Sequence, residues 1–216
     1  MIEMLLPSTT LRPTYGALVD IDFSSAPLGS QVIPDRGKLK MEWTRHQQSG
    51  ANGADGVVDV PNGLGRGYLF NAKTYFTGDQ IIPLSNTHWR LTARIVNIGG
   101  DAVFSTGNYP SWGGVLPGFS LTGGQYPERY WQLFQANKYG QYQRGLFDGR
   151  GVTGVIDTLV VTRTDNTVVH NERTGVSNTY AYFDTGGDSY TSIGAAHSYT
   201  SAFNGYLLSL IIEELP

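Results

Sequence analysis

The chain has 216 residues, a formal net charge of -3 and only 15% charged residues, with 28 glycines, 13 tyrosines and no cysteine. That length suits one large β domain or at most two small ones, and the glycine-rich, low-charge composition argues against long amphipathic helices. Lack of cysteine excludes disulfides and thiolate chemistry, and the acidic balance argues against nucleic-acid binding, which needs a basic stripe to neutralise phosphates.

Residues 1–15 combine the apolar Met4-Leu5-Leu6 with Pro7 and Pro13 and read either as a loosely held terminal tail or as an N-terminal arm added to a neighbouring subunit's surface, since exposed side chains of this kind need cover. The arm has no basic stretch and too short an apolar run for a signal peptide, and no later segment is long enough for a membrane-spanning helix. Leu18–Phe23 alternates and places Val19, Ile21 and Phe23 on one face of a strand. Residues 24–56 read as a polar connection with a strand around Leu39–Trp43 and a loop over 50–56. Strand-like segments follow at 67–76, 89–96, 103–107, 118–121 and 130–134, with a short apolar piece at 81–84. Asp157–Arg163 and Val168–Asn171 form a β-hairpin around a turn at Thr164–Thr167. Near the end come Ser192-Ile193-Gly194, then Asn204-Gly205, a pair expected to make a tight turn because both residues tolerate positive φ. The closing run Tyr206–Ile212 carries large side chains on both faces, so it must be paired on both sides or covered. Such elements specify an all-β, two-sheet antiparallel β-sandwich over residues 16–216, behind the arm.

Several of these segments carry a resemblance. Ser192-Ile193-Gly194 with Phe203-Asn204-Gly205 and the alternating final strand, Trp89 with Ala93 and Ile95, Val103-Phe104-Ser105-Thr106-Gly107 and Gly118-Phe119-Ser120-Leu121 occur in the order seen in LamG-like jelly rolls of the concanavalin A-like lectin/glucanase superfamily. The likeness spans roughly residues 18–214. It departs at the 157–171 hairpin, where Thr158 or a neighbour stands for the family's Trp and Glu172-Arg173-Thr174-Gly175 replaces its closing Tyr-x-Asn-Gly. The resemblance implies a concanavalin A-like jelly roll.

Some members of that superfamily are glycoside hydrolases, with a strand-borne Glu-x-Asp-x-x-Glu. None of Glu3, Glu42, Glu128, Glu172, Glu213 or Glu214 begins such a motif, so no catalytic residues are expected. His46, His88, His170 and His197 lack metal-ligand spacing, and neither a Gly-x-Ser-x-Gly elbow nor a P-loop occurs. Relatives often hold Ca²⁺ on loop carboxylates. Here Asp184 and Asp188, in Asp-Thr-Gly-Gly-Asp, are the candidate metal ligands, with Asp55 and Asp59 a second pair, although Asp and Gly also simply favour turns.

Aromatic residues crowd one third of the chain among Gly, Asn, Gln and Ser. Aromatic faces stack on sugar C–H faces while amides and carboxylates bind hydroxyls, so Tyr109, Trp112, Tyr126, Tyr139 and Tyr142 are the candidate ligand-binding residues; Trp131, within a strand, is expected in the core. The same composition suits a protein contact. The style of the chain resembles stand-alone LamG-like domains of tailed-phage virions. That implies a non-catalytic virion surface protein (capsid decoration or tail-associated), made in the host cytoplasm, homo-oligomeric, docked on other virion proteins through its arm and able to bind host glycan. A free carbohydrate-binding module or lectin is the alternative, and a glycoside hydrolase ranks third. Neither nucleic acid nor membrane is expected as a partner.

Overall fold

A computed structural model describes residues 16–48, 54–85, 87–100, 102–107, 117–123, 130–150, 152–195 and 202–216; the expected arm, residues 1–15, lies outside them. Among the described residues the chain folds into strands, with one short 3-10 turn at Pro61–Gly63. These strands make the expected sandwich of two antiparallel sheets.

The first sheet has eight strands. Its order is β13 (Val176–Ala181), β12 (Asn166–Asn171), β11 (Asp157–Arg163), β6 (Trp89–Gly100), β15 (Phe203–Glu214), β4 (Gly65–Asn71) and β3 (Gly56–Val60), and β1 (Ala17–Asp22) also pairs with β15. The second has seven, in the order β10 (Tyr142–Arg150), β9 (Tyr130–Ala136), β8 (Gly118–Gly123), β7 (Ala102–Ser105), β14 (Ser192–Ile193), β5 (Thr74–Gly78) and β2 (Trp43–Gln47).

β15 is the spine of the first sheet. It pairs along its length with β6, while β4 takes its first half and β1 its second half. Its inward Leu207, Leu210 and Ile212 join the main core, and Leu208, on the other side, is covered by a small cluster with Val60 and Val96. The two-sided apolar run is thus both paired and covered. The tight turn expected at Asn204-Gly205 is absent, however: both residues lie inside the strand, where its register against β6 shifts by a bulge. A Cβ at residue 205 would collide with the Val96 carbonyl oxygen, so glycine serves close backbone approach there rather than chain reversal.

Other boundaries also move. The strand expected over 39–43 begins at Trp43, because Lys40 takes φ 45° and the amides of Lys38 and Leu39 bond irregularly to β1 carbonyls. Residues 67–76 divide into β4 and β5 at a turn where Ala72 has φ 61° and Asn71 Oδ1 accepts from the Lys73 amide and the Thr74 hydroxyl. That turn carries the chain from one sheet to the other. The hairpin at 157–171 forms with a shorter loop, Thr164-Asp165.

The core holds Val19, Ile21 and Phe23, as the alternation predicts, with Tyr68, Phe70 and Phe76 packed at centroid distances of 4.8–6.1 Å. Trp131 is fully buried, and its indole N–H reaches across the sandwich to Asp157 of β11 at 2.9 Å. One side of the sandwich is shut by β10 against β13. The Tyr180 hydroxyl bonds Leu146 N at 2.9 Å and its carbonyl at 3.2 Å, so side chains from one sheet satisfy the exposed edge of the other.

Candidate functional site

Where β9 turns into β10, a depression of about 340 Å³ opens against the segment that follows β13. One wall is Asn137-Lys138-Tyr139 with Gln141, and the other is Tyr182 to Gly186.

The first wall is held by one side chain. Asn137 Oδ1 accepts from the amides of Tyr139 (3.0 Å) and Gln141 (3.1 Å), and its Nδ2 donates to Gln141 Oε1 at 2.8 Å. Gly140 supplies the positive φ, 83°, that closes the loop. Asn favours this local bonding over continued strand, which is why the sequence turns there. The result is a stiff loop that pushes Tyr139 into solvent, 77% exposed, with Lys138 Nζ 5.2 Å from the ring centre.

The second wall rests on Arg163, which points inward from the end of β11 and is 1% exposed. Its guanidinium donates to the carbonyls of Leu84 (2.9 Å), Ser85 (3.0 Å) and Phe183 (3.0 Å). It also packs 4.8 Å from the Phe119 ring and 4.5 Å from the Tyr182 ring, cation–π geometry that fixes Tyr182 while leaving it 48% exposed. Burial pulls the Arg163 pKa down, and Tyr182, Asp188 and Asp184 oppose that pull. Asp184 is exposed and its Oδ1 accepts from the Gly186 amide at 2.8 Å. Beneath, Thr185 donates to Ser85 Oγ, which in turn donates to Asp188 Oδ2.

The structure thus puts the two candidate metal ligands to separate uses. Asp188 accepts from Ser85 N (2.8 Å), Ser85 Oγ (2.7 Å) and Thr106 Oγ1 (2.8 Å), and it anchors the loop to the body of the sandwich. Burial pushes its carboxyl up, against those hydrogen bonds and the Arg163 charge. Asp55 is paired with Arg45 at 2.6 Å and accepts from the Tyr68 hydroxyl, and Asp59 is paired with Arg66. Among the described residues no group of three or more His, Asp or Glu side chains is placed to share a cation.

Of the candidate ligand-binding residues, Tyr139 lines the depression, whereas Tyr142, 55% exposed at the start of β10, is not among its lining residues. Tyr109, Trp112 and Tyr126 lie outside the described residues. Tyr182 and Arg163 were not anticipated. Both left a signal: Tyr180, Tyr182 and Phe183 immediately precede the Asp-Thr-Gly-Gly-Asp loop, and Arg163 occupies an inward position of an alternating strand after Leu159 and Val161.

No protein-family model matches the chain, and no curated protein matches it in sequence. Solved structures do match. Domain 4 of AbnA, a GH43 extracellular arabinanase from Geobacillus stearothermophilus in complex with arabinotriose, superposes with a TM-score of 0.68 at 14% identity, over 93% of this chain and 94% of that one. The fold is a two-sheet, antiparallel jelly-roll β-sandwich of the kind that domain adopts. The binding domain of botulinum neurotoxin DC in complex with SialylT matches this jelly roll with a TM-score of 0.61 at 9% identity, over 94% of this chain and 49% of that chain. The enzymatically active domain of bacteriophage CBA120 tailspike protein 2 follows with 0.54 at 14% identity, over 81% of this chain. The jelly roll spans only 29% of that tailspike chain.

Proposed function

We propose that this jelly roll binds glycan, without catalysis, in the depression between the Asn137–Gln141 turn and the Tyr182–Gly186 segment. The observation that carries the reading is the pair of exposed tyrosines: Tyr139, whose backbone is held by Asn137, and Tyr182, whose ring rests on Arg163. Stiff aromatic faces bind at low entropy cost, and the neighbouring amides and carboxylate suit hydroxyl groups. The bound arabinotriose and SialylT of two of these neighbours belong to those proteins, and they make a saccharide the first ligand class to try here. The non-catalytic part rests on the carboxylates. Glycoside hydrolysis takes two across the scissile bond, and among the described lining residues the depression offers Asp184 alone.

Retention of the full chain on immobilised glycans tests this. Tyr139→Ala and Tyr182→Ala should each weaken retention about tenfold, and the pair about a hundredfold, with unfolding curves little changed. Binding that survives the double substitution would overturn the site, and hydrolysis of a retained glycan would overturn the non-catalytic reading.

Placement on a phage virion is a second reading, favoured by the overlap of most of this chain with a tailspike domain. It expects a homo-oligomer that depends on residues 1–15. Light scattering of the full chain and of a chain lacking those residues tests it; a monomer in both cases would contradict it.

A further inference from the structure

We infer that the depression takes a neutral saccharide and holds it without calcium. This rests on the glycan-binding reading above and adds the ligand's charge class and the ion independence of the site.

The charges on the walls carry the inference. Asp184 is exposed on the lip, and its Oδ1 is used by the Gly186 amide. A carboxylate only accepts, so a ligand group meeting its other oxygen must bring O–H or N–H donors. Sugar hydroxyls do so; the carboxylate or sulfate of an acidic sugar would meet like charge. Recognition of such anions usually relies on an exposed arginine fork. The arginine closest to hand, Arg163, is buried and spends both terminal nitrogens on the carbonyls of Leu84, Ser85 and Phe183. Lys138 on the facing lip sits against the Tyr139 ring and brings one positive charge to set against Asp184. The lip is therefore close to neutral, with two aromatic faces and one acceptor.

Calcium independence follows from the uses already made of the loop carboxylates. Ca²⁺ takes six to eight oxygens. Asp188 has both of its oxygens bonded to Ser85 and Thr106, and breaking those bonds would release the loop that carries Tyr182. Among the described lining residues that leaves Asp184 as the one carboxylate, too few for a charged calcium cage.

The test applies the full-length chain to an array of neutral and acidic glycans, in EDTA and then in calcium. The best neutral oligosaccharide is then compared by calorimetry with its sialylated or uronic-acid counterpart, for wild type and Asp184→Asn. Asparagine keeps the acceptor for the Gly186 amide and removes the charge. The expected result is retention of neutral glycans, unchanged by EDTA. The neutral ligand should be favoured by about tenfold or more, and that ratio should shrink in Asp184→Asn because the acidic ligand gains. A fold-only role for Asp184 would not move the ratio. Preference for the acidic partner would overturn the inference. A requirement for calcium, or a ratio unmoved by Asp184→Asn, would also overturn it, and all three outcomes leave glycan binding itself standing. Retention of no glycan at all would overturn both readings.

Discussion

Replacing Asp157 by alanine should be among the most damaging single changes to this jelly roll. Asp157 is fully buried at the start of β11, and its carboxylate accepts from Trp131 Nε1 at 2.9 Å, Asn171 Nδ2 at 2.9 Å and Arg173 Nε at 2.6 Å. Trp131 belongs to the other sheet, so this carboxylate joins the two layers. In Asp157→Ala, Trp131 and Asn171 lose an acceptor where neither has access to water, and each orphaned donor costs about 1–3 kcal/mol. Arg173 keeps 27% of its side chain exposed and can turn to solvent. The sum, about 2–6 kcal/mol, brackets the cost of about 3–5 kcal/mol usual for removing one member of a buried charged pair. For a chain of this size the latter lowers the melting temperature by roughly 6–20 °C. Urea unfolding gives the free energy directly, with the slope unchanged. Asp157→Asn, which keeps one acceptor oxygen, should fall between wild type and alanine. The double change Trp131→Phe with Asp157→Ala should cost less than the sum of its parts by about 1–2 kcal/mol, because the orphaned indole is gone. A loss below about 1 kcal/mol in Asp157→Ala would refute the assignment of this group as the inter-sheet tie.

Arg163→Met should cost about 2–6 kcal/mol, since it takes the donor from the Ser85 and Phe183 carbonyls, while the Leu84 carbonyl keeps the Trp89 indole N–H; urea unfolding reads it. Gly118→Ala should destabilise by more than about 2 kcal/mol, because residue 118 has φ 138° and a Cβ there would stand 2.5 Å from the Thr106 carbonyl oxygen; a melting temperature within a degree or so of wild type would contradict this. At Asp55 burial acts to raise the carboxyl pKa, but hydrogen bonds from Arg45 and Tyr68 outweigh it and hold the group below its ordinary value of 3.8. A depressed carboxyl adds stability that is whole above the unfolded value and lost as pH falls through the folded one. The gap between wild type and Asp55→Asn should therefore be constant near neutrality and close below 3.8, as measured by urea unfolding at stepped pH.

The architecture was legible where hydrophobic alternation and strand length were unambiguous, as in β1, the β11–β12 hairpin and β15. The sequence reading failed where one residue type serves two purposes. Asn204-Gly205 carries the composition of a hairpin turn, yet the glycine is needed for a bulge inside a strand, a distinction set by the approach of Val96 from a distant segment. β3, β10 and β13 escaped notice because they are short or interrupted by polar residues and glycine, and their pairing comes from tertiary partners. At the depression, Tyr139 was visible as an aromatic in a polar stretch. Tyr182 had only its place before the Asp-Thr-Gly-Gly-Asp loop to mark it, and its support by Arg163 joins β11 to the segment after β13, a contact no local pattern encodes. For the Asp184 and Asp188 pair the spacing left both a shared cation and a turn open, and the bonds from Ser85 and Thr106 that fasten Asp188 come from distant segments that spacing does not reveal.

The most direct test of the central claim is an amide-resolved NMR titration of the full chain with the best neutral oligosaccharide from the array. The account predicts saturable shifts concentrated in residues 137–141 and 182–186, lost in the Tyr139→Ala, Tyr182→Ala double variant. Saturable shifts that leave both segments untouched would contradict it.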